Sequence, residues 1–183
     1  MAGTGIRTAA AVLVAFAALA AAGCGGSSSS DTTPTDTWAS GVCTAVSTWK
    51  TSLTNIATTV KSGGVSQDSL NTAASQAKDA TNTLADSLKK LGKPDTQSGQ
   101  QAKDDVNQLS SQLSKNVQTI QDAISNASGA AGVLTAVSTA SSTLVTMGNE
   151  VSTTLTDLQK LDPKGEIQQA FKQSSSCKSL LGT

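Results

Sequence analysis

The 183-residue chain has no histidine and no tyrosine, and only two tryptophans and two phenylalanines. Arg7 is its one arginine, and lysines provide the other basic side chains. Without histidine the commonest general base is missing, and neither a Ser-His nor a Cys-His catalytic pair can form. A formal charge of zero, with Arg7 as the one arginine, gives little reason to expect a basic face for the phosphates of nucleic acid. The composition therefore argues against most hydrolases and against nucleic-acid-binding proteins.

One spacing used by enzymes does occur, the tetrapeptide Ser-x-x-Lys. It stands at Ser47/Lys50, Ser75/Lys78, Ser87/Lys90 and Ser175/Lys178. The spacing resembles the nucleophile motif of penicillin-binding proteins and class A β-lactamases, but their companion motifs Ser-Asp-Asn and Lys-Thr-Gly are absent. The carboxylates show no EF-hand spacing, and distant thiols without histidine do not form a usual zinc site. We predict a protein that is not an enzyme, with no catalytic residue, no metal site and no cofactor.

The first residues have the three parts of an export signal. Arg7 gives the start a positive charge, an apolar run follows from Ala9 to Ala22, and small residues precede Cys24. The run of about 14 residues is too short to span a bilayer as a permanent helix. It is typical of a secretory signal.

The sequence Ala21-Ala22-Gly23-Cys24 resembles the lipobox of bacterial lipoproteins, with Ala21 at the position where that family prefers leucine. In that family the cysteine sulfur receives diacylglycerol, and a dedicated peptidase cuts the chain before it. The resemblance implies a signal peptide over residues 1–23, a lipid on Cys24 and a location on the outer face of the cell membrane. The alternative is an ordinary signal peptide, cut near Ala22, which leaves Cys24 free.

Two further cysteines, Cys43 and Cys177, lie near opposite ends of the remaining chain. Outside the cytoplasm paired cysteines tend to oxidise, so we predict a structural disulfide between them. Because Cys43 is next to Val42 on the apolar stripe of a predicted helix, we expect the bridge at the edge of the buried face. The alternative is two buried free thiols, which pack as small apolar groups.

Residues 24–37, rich in Gly, Ser and Thr, are predicted to be a flexible tether. From Trp38 to Thr183, apolar side chains recur at steps of three and four, which predicts amphipathic helices. The predicted inward residues are Val42, Val46, Trp49, Leu53, Ile56 and Val60; then Leu70, Ala74, Ala77, Thr81, Leu84, Leu88 and Leu91; then Ala102, Val106, Leu109, Leu113, Val117, Ile120 and Ile124; then Val133, Val137, Ala140, Leu144, Met147, Val151, Leu155 and Leu158; and last Ile167, Phe171, Ser174, Cys177 and Leu181.

Glycine, proline and asparagine interrupt this pattern at residues 63–64, 92–94 and 126–129, and Asp162 with Pro163 begins the last stretch. We predict an all-α fold over residues 38–183: an antiparallel four-helix up-down bundle, with a short fifth C-terminal helix stapled by the disulfide. The alternative is a coiled coil, in which the same stripes form a seam between chains.

The two tryptophans have different predicted roles. Trp49 lies on the first stripe and is predicted to be in the core. Trp38 lies where the tether becomes a helix, and we predict that it staples the helix start onto the bundle; contact with the membrane or with a partner are the alternatives. The start Trp38-Ala39-Ser40-Gly41-Val42-Cys43 and the late Ser176-Cys177-Lys178 resemble those of small helical lipoproteins of actinobacteria. That resemblance implies no particular activity.

The favoured functional hypothesis is a non-enzymatic lipoprotein of the cell envelope, in which a lipid tether carries a helical binding or scaffold module. Its expected partners are the membrane, through the lipid on Cys24, and an envelope protein or apolar ligand; its expected state is a monomer. One alternative is a carrier that holds a small apolar ligand or lipid within the bundle, which an interior void would favour. Another is an oligomeric coiled-coil spacer.

Overall fold

The computed structural model describes residues 33–181, and in this range all regular structure is helical. The helices are α1 (Pro34–Gly63), α2 (Gln67–Leu91), α3 (Gly99–Ser125), α4 (Gly129–Leu158), α5 (Glu166–Gln173) and α6 (Ser175–Leu181). The predicted signal peptide, Cys24 and residues 24–32 of the predicted tether lie outside the described residues. The all-α prediction is confirmed, with the expected fifth helix divided into α5 and α6.

Helix α1 begins at Pro34, four residues before the predicted start of the domain. A capping box explains the earlier start. The Asp36 backbone N–H donates to Thr33 Oγ1 at 3.1 Å, and the Thr33 N–H donates to the Asp36 carboxylate at 2.9 Å. Pro34 lies in the first turn of α1, where a backbone N–H has no acceptor within the helix, so its missing N–H costs no hydrogen bond. Residues 34–37, assigned to the tether on sequence, therefore form the first helical turn.

Short connections make successive helices antiparallel. Ser66 caps α2, since the Ser69 N–H donates to its hydroxyl oxygen at 3.1 Å. Gly64 and Gly92 follow the ends of α1 and α2 with φ of 84° and 69°, a region that favours glycine. Helix α1 packs on α2, α2 on α3 and α3 on α4, while α5 and α6 pack on α1. The predicted four-helix up-down arrangement with a C-terminal addition is confirmed.

The predicted faces of α2 and α3 form the centre of the core. Buried on these two helices are Leu70, Ala74, Ala77, Thr81, Leu84, Leu88, Ala102, Val106, Leu109, Leu113, Val117, Ile120 and Ile124. These stripes face the interior of one chain, so they are not free to form the seam between chains that the coiled-coil alternative requires.

The predicted stripe of α4 is buried only in the second half of the helix. There Met147, Val151, Leu155 and Leu158 are buried, whereas Val133, Val137 and Ala140 in the first half are half-buried and Leu144, near the midpoint, is exposed. The reason is that α3 covers one side of α4, while packing between α1 and α4 is sparse.

Among residues 33–181, α4 is the one helix long and apolar enough to cross a membrane, by length and composition alone. In this fold it packs along α3, which carries charged side chains such as Lys103 and Asp104. Charged groups are strongly disfavoured in hydrocarbon. The packed bundle as a whole therefore does not resemble a membrane-spanning unit, and the apolar character of α4 needs another explanation.

The C-terminal segment starts at a capped turn. The buried Asp162 carboxylate accepts from the backbone N–H groups of Glu166 at 2.9 Å and Ile167 at 3.4 Å. The prediction that the last helix begins at Pro163 with Asp162 as its N-cap is wrong, because α5 begins at Glu166 and its N-cap is Gly165. The Asp162 carboxylate instead accepts from the first backbone N–H groups of α5 from a position before the cap. At Ser174 the backbone is extended, with φ −65° and ψ 123°, which separates α5 from α6.

Candidate functional site

The predicted disulfide joins α6 to α1. Cys43 and Cys177 are bonded, with their Cα atoms 5.0 Å apart, and both residues are fully buried. The Cys177 sulfur lies 3.5 Å from the Ala39 carbonyl oxygen, and Thr44 Oγ1 donates to Ser176 Oγ at 3.1 Å. The pairing is confirmed. The bridge, expected at the edge of the buried face of α1, is itself buried because α5 and α6 pack on α1.

Trp38 fixes the start of α1 to two other segments. It is 3% exposed, its Nε1 donates to the Gly92 carbonyl at 3.3 Å, and its ring meets Phe171 edge-on with centroids 6.2 Å apart. Edge-on aromatic pairs contribute about 0.5–1.5 kcal/mol beyond their buried area. Trp38 therefore acts as the predicted staple and is not available to a membrane or a partner.

Beyond the disulfide, a groove of about 530 Å³ follows the seam between α1 and α4. Helix α1 contributes Val46, Trp49, Lys50, Leu53, Thr54 and Ala57; α4 contributes Leu144, Gly148, Val151, Ser152 and Leu155; and α6 contributes Leu180. The floor is apolar, and its volume lies within the range of about 300–1,000 Å³ that is usual for small-molecule sites. Apolar side chains of α1 and α4 thus meet along this groove.

Trp49 forms part of this floor and is held in one orientation. It is buried as predicted, and its Nε1 donates to Thr81 Oγ1 at 3.0 Å. Thr81 is itself buried on α2, so the indole N–H is satisfied within the core. The face of the ring at the groove is therefore preformed.

The rim of the groove is polar and exposed. Lys50, Thr54 and Ser152 stand there, and Lys50 is the one charged residue among the described residues that line it. The Thr54 hydroxyl donates to the Lys50 carbonyl at 2.9 Å, within its own helix. Gly148 also lies on the rim, and a Cβ atom there would meet nothing within 4 Å. The groove thus combines an apolar floor with a single positive charge and open space at Gly148.

A second groove of about 430 Å³, between α3 and α4, is polar and acidic. Asp105, Glu150 and Asp157 line it, and Asn116 Nδ2 donates to the Glu150 carboxylate at 2.7 Å. Partial burial, followed by the charges of Asp104 and Asp157, raises the pKa of Asp105 above its ordinary value. Within residues 33–181, no three or more His, Cys, Asp or Glu side chains are placed to hold a metal ion.

The four Ser-x-x-Lys pairs lie on outward helix faces, where all four lysines are exposed. Ser87 Oγ donates to the Thr83 carbonyl at 2.8 Å, one turn earlier, and many other hydroxyls of the long helices bond in the same way. This pattern is common for serine and threonine within helices. It gives the Ser87 hydroxyl a structural role.

Comparison with protein-family models, with curated proteins and with solved structures finds no match for this chain. The groove between α1 and α4 is also a feature that helical periodicity does not predict. Residues 123–149, which include Leu144 and Gly148 of the groove, contain no charged side chain. Within that run, Leu134 and Val145 are 71% and 65% exposed. These two side chains are not among the residues that line the groove, and single exposed apolar residues are common on protein surfaces.

Proposed function

We propose that the chain is a non-enzymatic lipoprotein of the cell envelope, held outside the cytoplasm by lipid on Cys24, and that its helical domain is a binding module. The observation that carries the proposal is the Cys43–Cys177 disulfide. Disulfides of this kind form in oxidising compartments outside the cytoplasm. With these two cysteines paired, Cys24 is the remaining cysteine of the three, directly after the lipobox-like residues.

The apolar groove between α1 and α4 supports binding as the role of the domain. Sites for small ligands are typically clefts with a mostly apolar lining and a few polar groups. Here the floor is preformed by Trp49, which Thr81 holds in place. This observation favours the apolar-ligand carrier over the coiled-coil spacer. The ligand would lie in an open groove, whereas the sequence-based hypothesis placed it in an interior void.

The anchor is tested by expressing the full chain in a bacterium that modifies lipoproteins. We expect mass spectrometry to find a mature N-terminus at Cys24 that carries diacylglycerol. The Cys24→Ser variant should remain uncut at this site. In a phase-partition assay it should be found in the aqueous phase and not in the detergent phase. A wild-type chain cut elsewhere, with an unmodified Cys24 thiol, would contradict the proposal.

The groove is tested with a neutral apolar dye, N-phenyl-1-naphthylamine, whose fluorescence rises on binding. Gly148→Phe should place a ring in the open space and abolish the fluorescence gain. Thr135→Phe is the matched control, since Thr135 is exposed on the same helix and does not line the groove. Equal dye binding by both variants would show that the groove is not the site.

A further inference from the structure

The side of the bundle on which the groove opens is bordered by one row of side chains on α1 and one on α4. Residues eleven apart in an α-helix lie almost directly above one another, because eleven residues make about three turns. On α1 this spacing places Lys61 in line with Lys50, which lines the groove. On α4 it places Leu134 in line with Val145, which lies two turns before Ser152 of the groove. These two rows define what we call the α1–α4 face.

The helical segments that form the α1–α4 face carry no negative charge. Lys50 and Lys61 are both exposed, and the residues between them are uncharged. Residues 123–149, which include the first two thirds of α4, are uncharged as well. The next carboxylate along α4 is Glu150, which accepts from Asn116 Nδ2 of α3 at 2.7 Å and so lies on another side of the helix. The two lysines are therefore the charged groups of this face.

Helix α4 is apolar without being buried. By length and composition it could cross a membrane, yet only 11% of its most apolar stretch is buried. Burial within the protein therefore does not account for its composition. Leu134 and Val145 are exposed side chains of a kind that is common on protein surfaces. Here, however, they lie in a segment without charge, so contact with an apolar phase requires no charged group to lose its water.

The position of the proposed anchor brings this face close to a bilayer. Cys24 lies nine residues before Thr33, the first described residue. A segment of that length rich in glycine and serine has an average reach of about 17 Å. Lys50 and Lys61 lie about 24 Å and 40 Å along α1 from Pro34. A short tether thus holds the domain at the lipid surface, and a domain lying on its side brings both lysines to that surface.

We infer that the α1–α4 face docks on an anionic phospholipid surface, with Lys50 and Lys61 at the head groups and Leu134 and Val145 against the outer part of the acyl layer. This inference rests on the proposed function and names the source of its apolar ligand. The groove opens on the docked face, so the ligand can pass between groove and bilayer without crossing water. Apolar contact by one helix face is weak by itself, and the lipid anchor and the lysines add to it.

The test uses the lipidated mature protein in vesicles of phosphatidylglycerol and phosphatidylcholine in equal parts, with a nitroxide-labelled phospholipid as quencher. A fluorescent label is attached through Val145→Cys on the α1–α4 face. Gln118→Cys is the matched control, since Gln118 is exposed and lines the groove between α2 and α3. The Cys43–Cys177 pair is bonded and buried, so it does not react with the label. We expect strong quenching at position 145 and little at position 118.

The lysines are tested in the same vesicles. Lys50→Gln combined with Lys61→Gln should lower the ratio of docked to undocked domains by about fivefold for each lysine. Lys89→Gln combined with Lys90→Gln removes the same charge from exposed positions of α2 and should leave the ratio unchanged. Vesicles of phosphatidylcholine alone should lower quenching of the wild-type face to the level of the Lys50 and Lys61 double variant.

Equal quenching at positions 145 and 118, or quenching at neither, would overturn the inference and leave the proposed anchor and groove standing. An equal loss with both lysine pairs would assign the attraction to net charge and not to this face. A label at position 145 that is shielded without quenching, increasingly so at higher protein density, would indicate a second copy in place of lipid. A mature chain without lipid on Cys24 would instead overturn the proposed function, and mass spectrometry of the same sample detects it.

Discussion

The bundle has a closed half, which contains the disulfide, and an open half, which contains the α1–α2 and α3–α4 connections. The same stripe of α1 runs through both. It is buried at Val42 and Val46 in the closed half, but only half-buried at Leu53, Ile56 and Val60 in the open half. Neighbouring helices alone do not explain this difference, since α2 lies beside α1 in each half.

The difference follows from the C-terminal segment. The contacts of α5 and α6 with α1, through Trp38, Cys43 and Thr44, all lie in the closed half. Three seams of the bundle are closed by successive helices, whereas the seam between α1 and α4 is closed only as far as α6 reaches. A short added segment therefore determines both the stability of one half and the opening of the groove in the other.

Removal of the disulfide should give the largest loss of stability. It should also reduce the difference in stability between the closed half and the open half. For Cys43→Ala combined with Cys177→Ala, we expect the free energy of unfolding to fall by about 2–5 kcal/mol, because the bridge spans a sequence separation of 134. Urea unfolding measures this loss. Hydrogen exchange should show lost protection in α5, α6 and the first half of α1, before α2 and α3 are affected.

The same experiment has a clear contrary outcome. If protection fell evenly over all helices, the C-terminal segment would not be a separate closing element. Reduction of the wild-type chain should reproduce the behaviour of the double variant, since no other disulfide lies within the described residues.

Two leucine-to-alanine variants on α4 compare a buried position with an exposed one, and each tests one half of the helix. Leu158→Ala, at a fully buried side chain, is expected to destabilise the fold by about 2–5 kcal/mol through the cavity it leaves. Leu134→Ala, at a side chain that is 71% exposed in the open half, should change stability by less than about 0.5 kcal/mol. Both values come from urea unfolding, and a large effect at Leu134 would mean that the first half of α4 is covered in solution.

Periodicity predicts the faces of α2 and α3 well, apart from Leu91, which is half-buried, because each of these helices has a long neighbour on both sides. It predicts α4 less well: Leu144 fits the heptad stripe, yet it is exposed at the groove. Whether Leu144 is buried depends on how closely α1 packs against α4, and the sequence of α4 alone does not show this. The early start of α1 is different, since Thr33 and Asp36 form a capping box that can be read directly from the sequence.

The candidate site also has one part that the sequence predicts, the disulfide, and one part that it does not, the groove. The pairing of Cys43 with Cys177 follows from their number and position, because few alternatives exist. The groove depends on where α6 begins and ends, and the break at Ser174 has neither glycine nor proline to mark it. Local sequence signals specify where long helices start and stop, whereas the extent of a short covering segment is decided by packing against α1.

The smallest expected effect concerns the acidic groove on the other side of α4, where α3 and α4 are in close contact. Because the pKa of Asp105 is raised above 3.8 in the folded state, the folded chain binds more protons than the unfolded chain between 3.8 and the raised value. Stability from this group therefore falls as pH rises through that window. Asp105→Asn should raise the midpoint of thermal unfolding slightly at pH 7 and lose this advantage below pH 3.8. Asp79→Asn, at an exposed carboxylate of α2, is the matched charge control, and an equal gain there would assign the effect to net charge and not to Asp105.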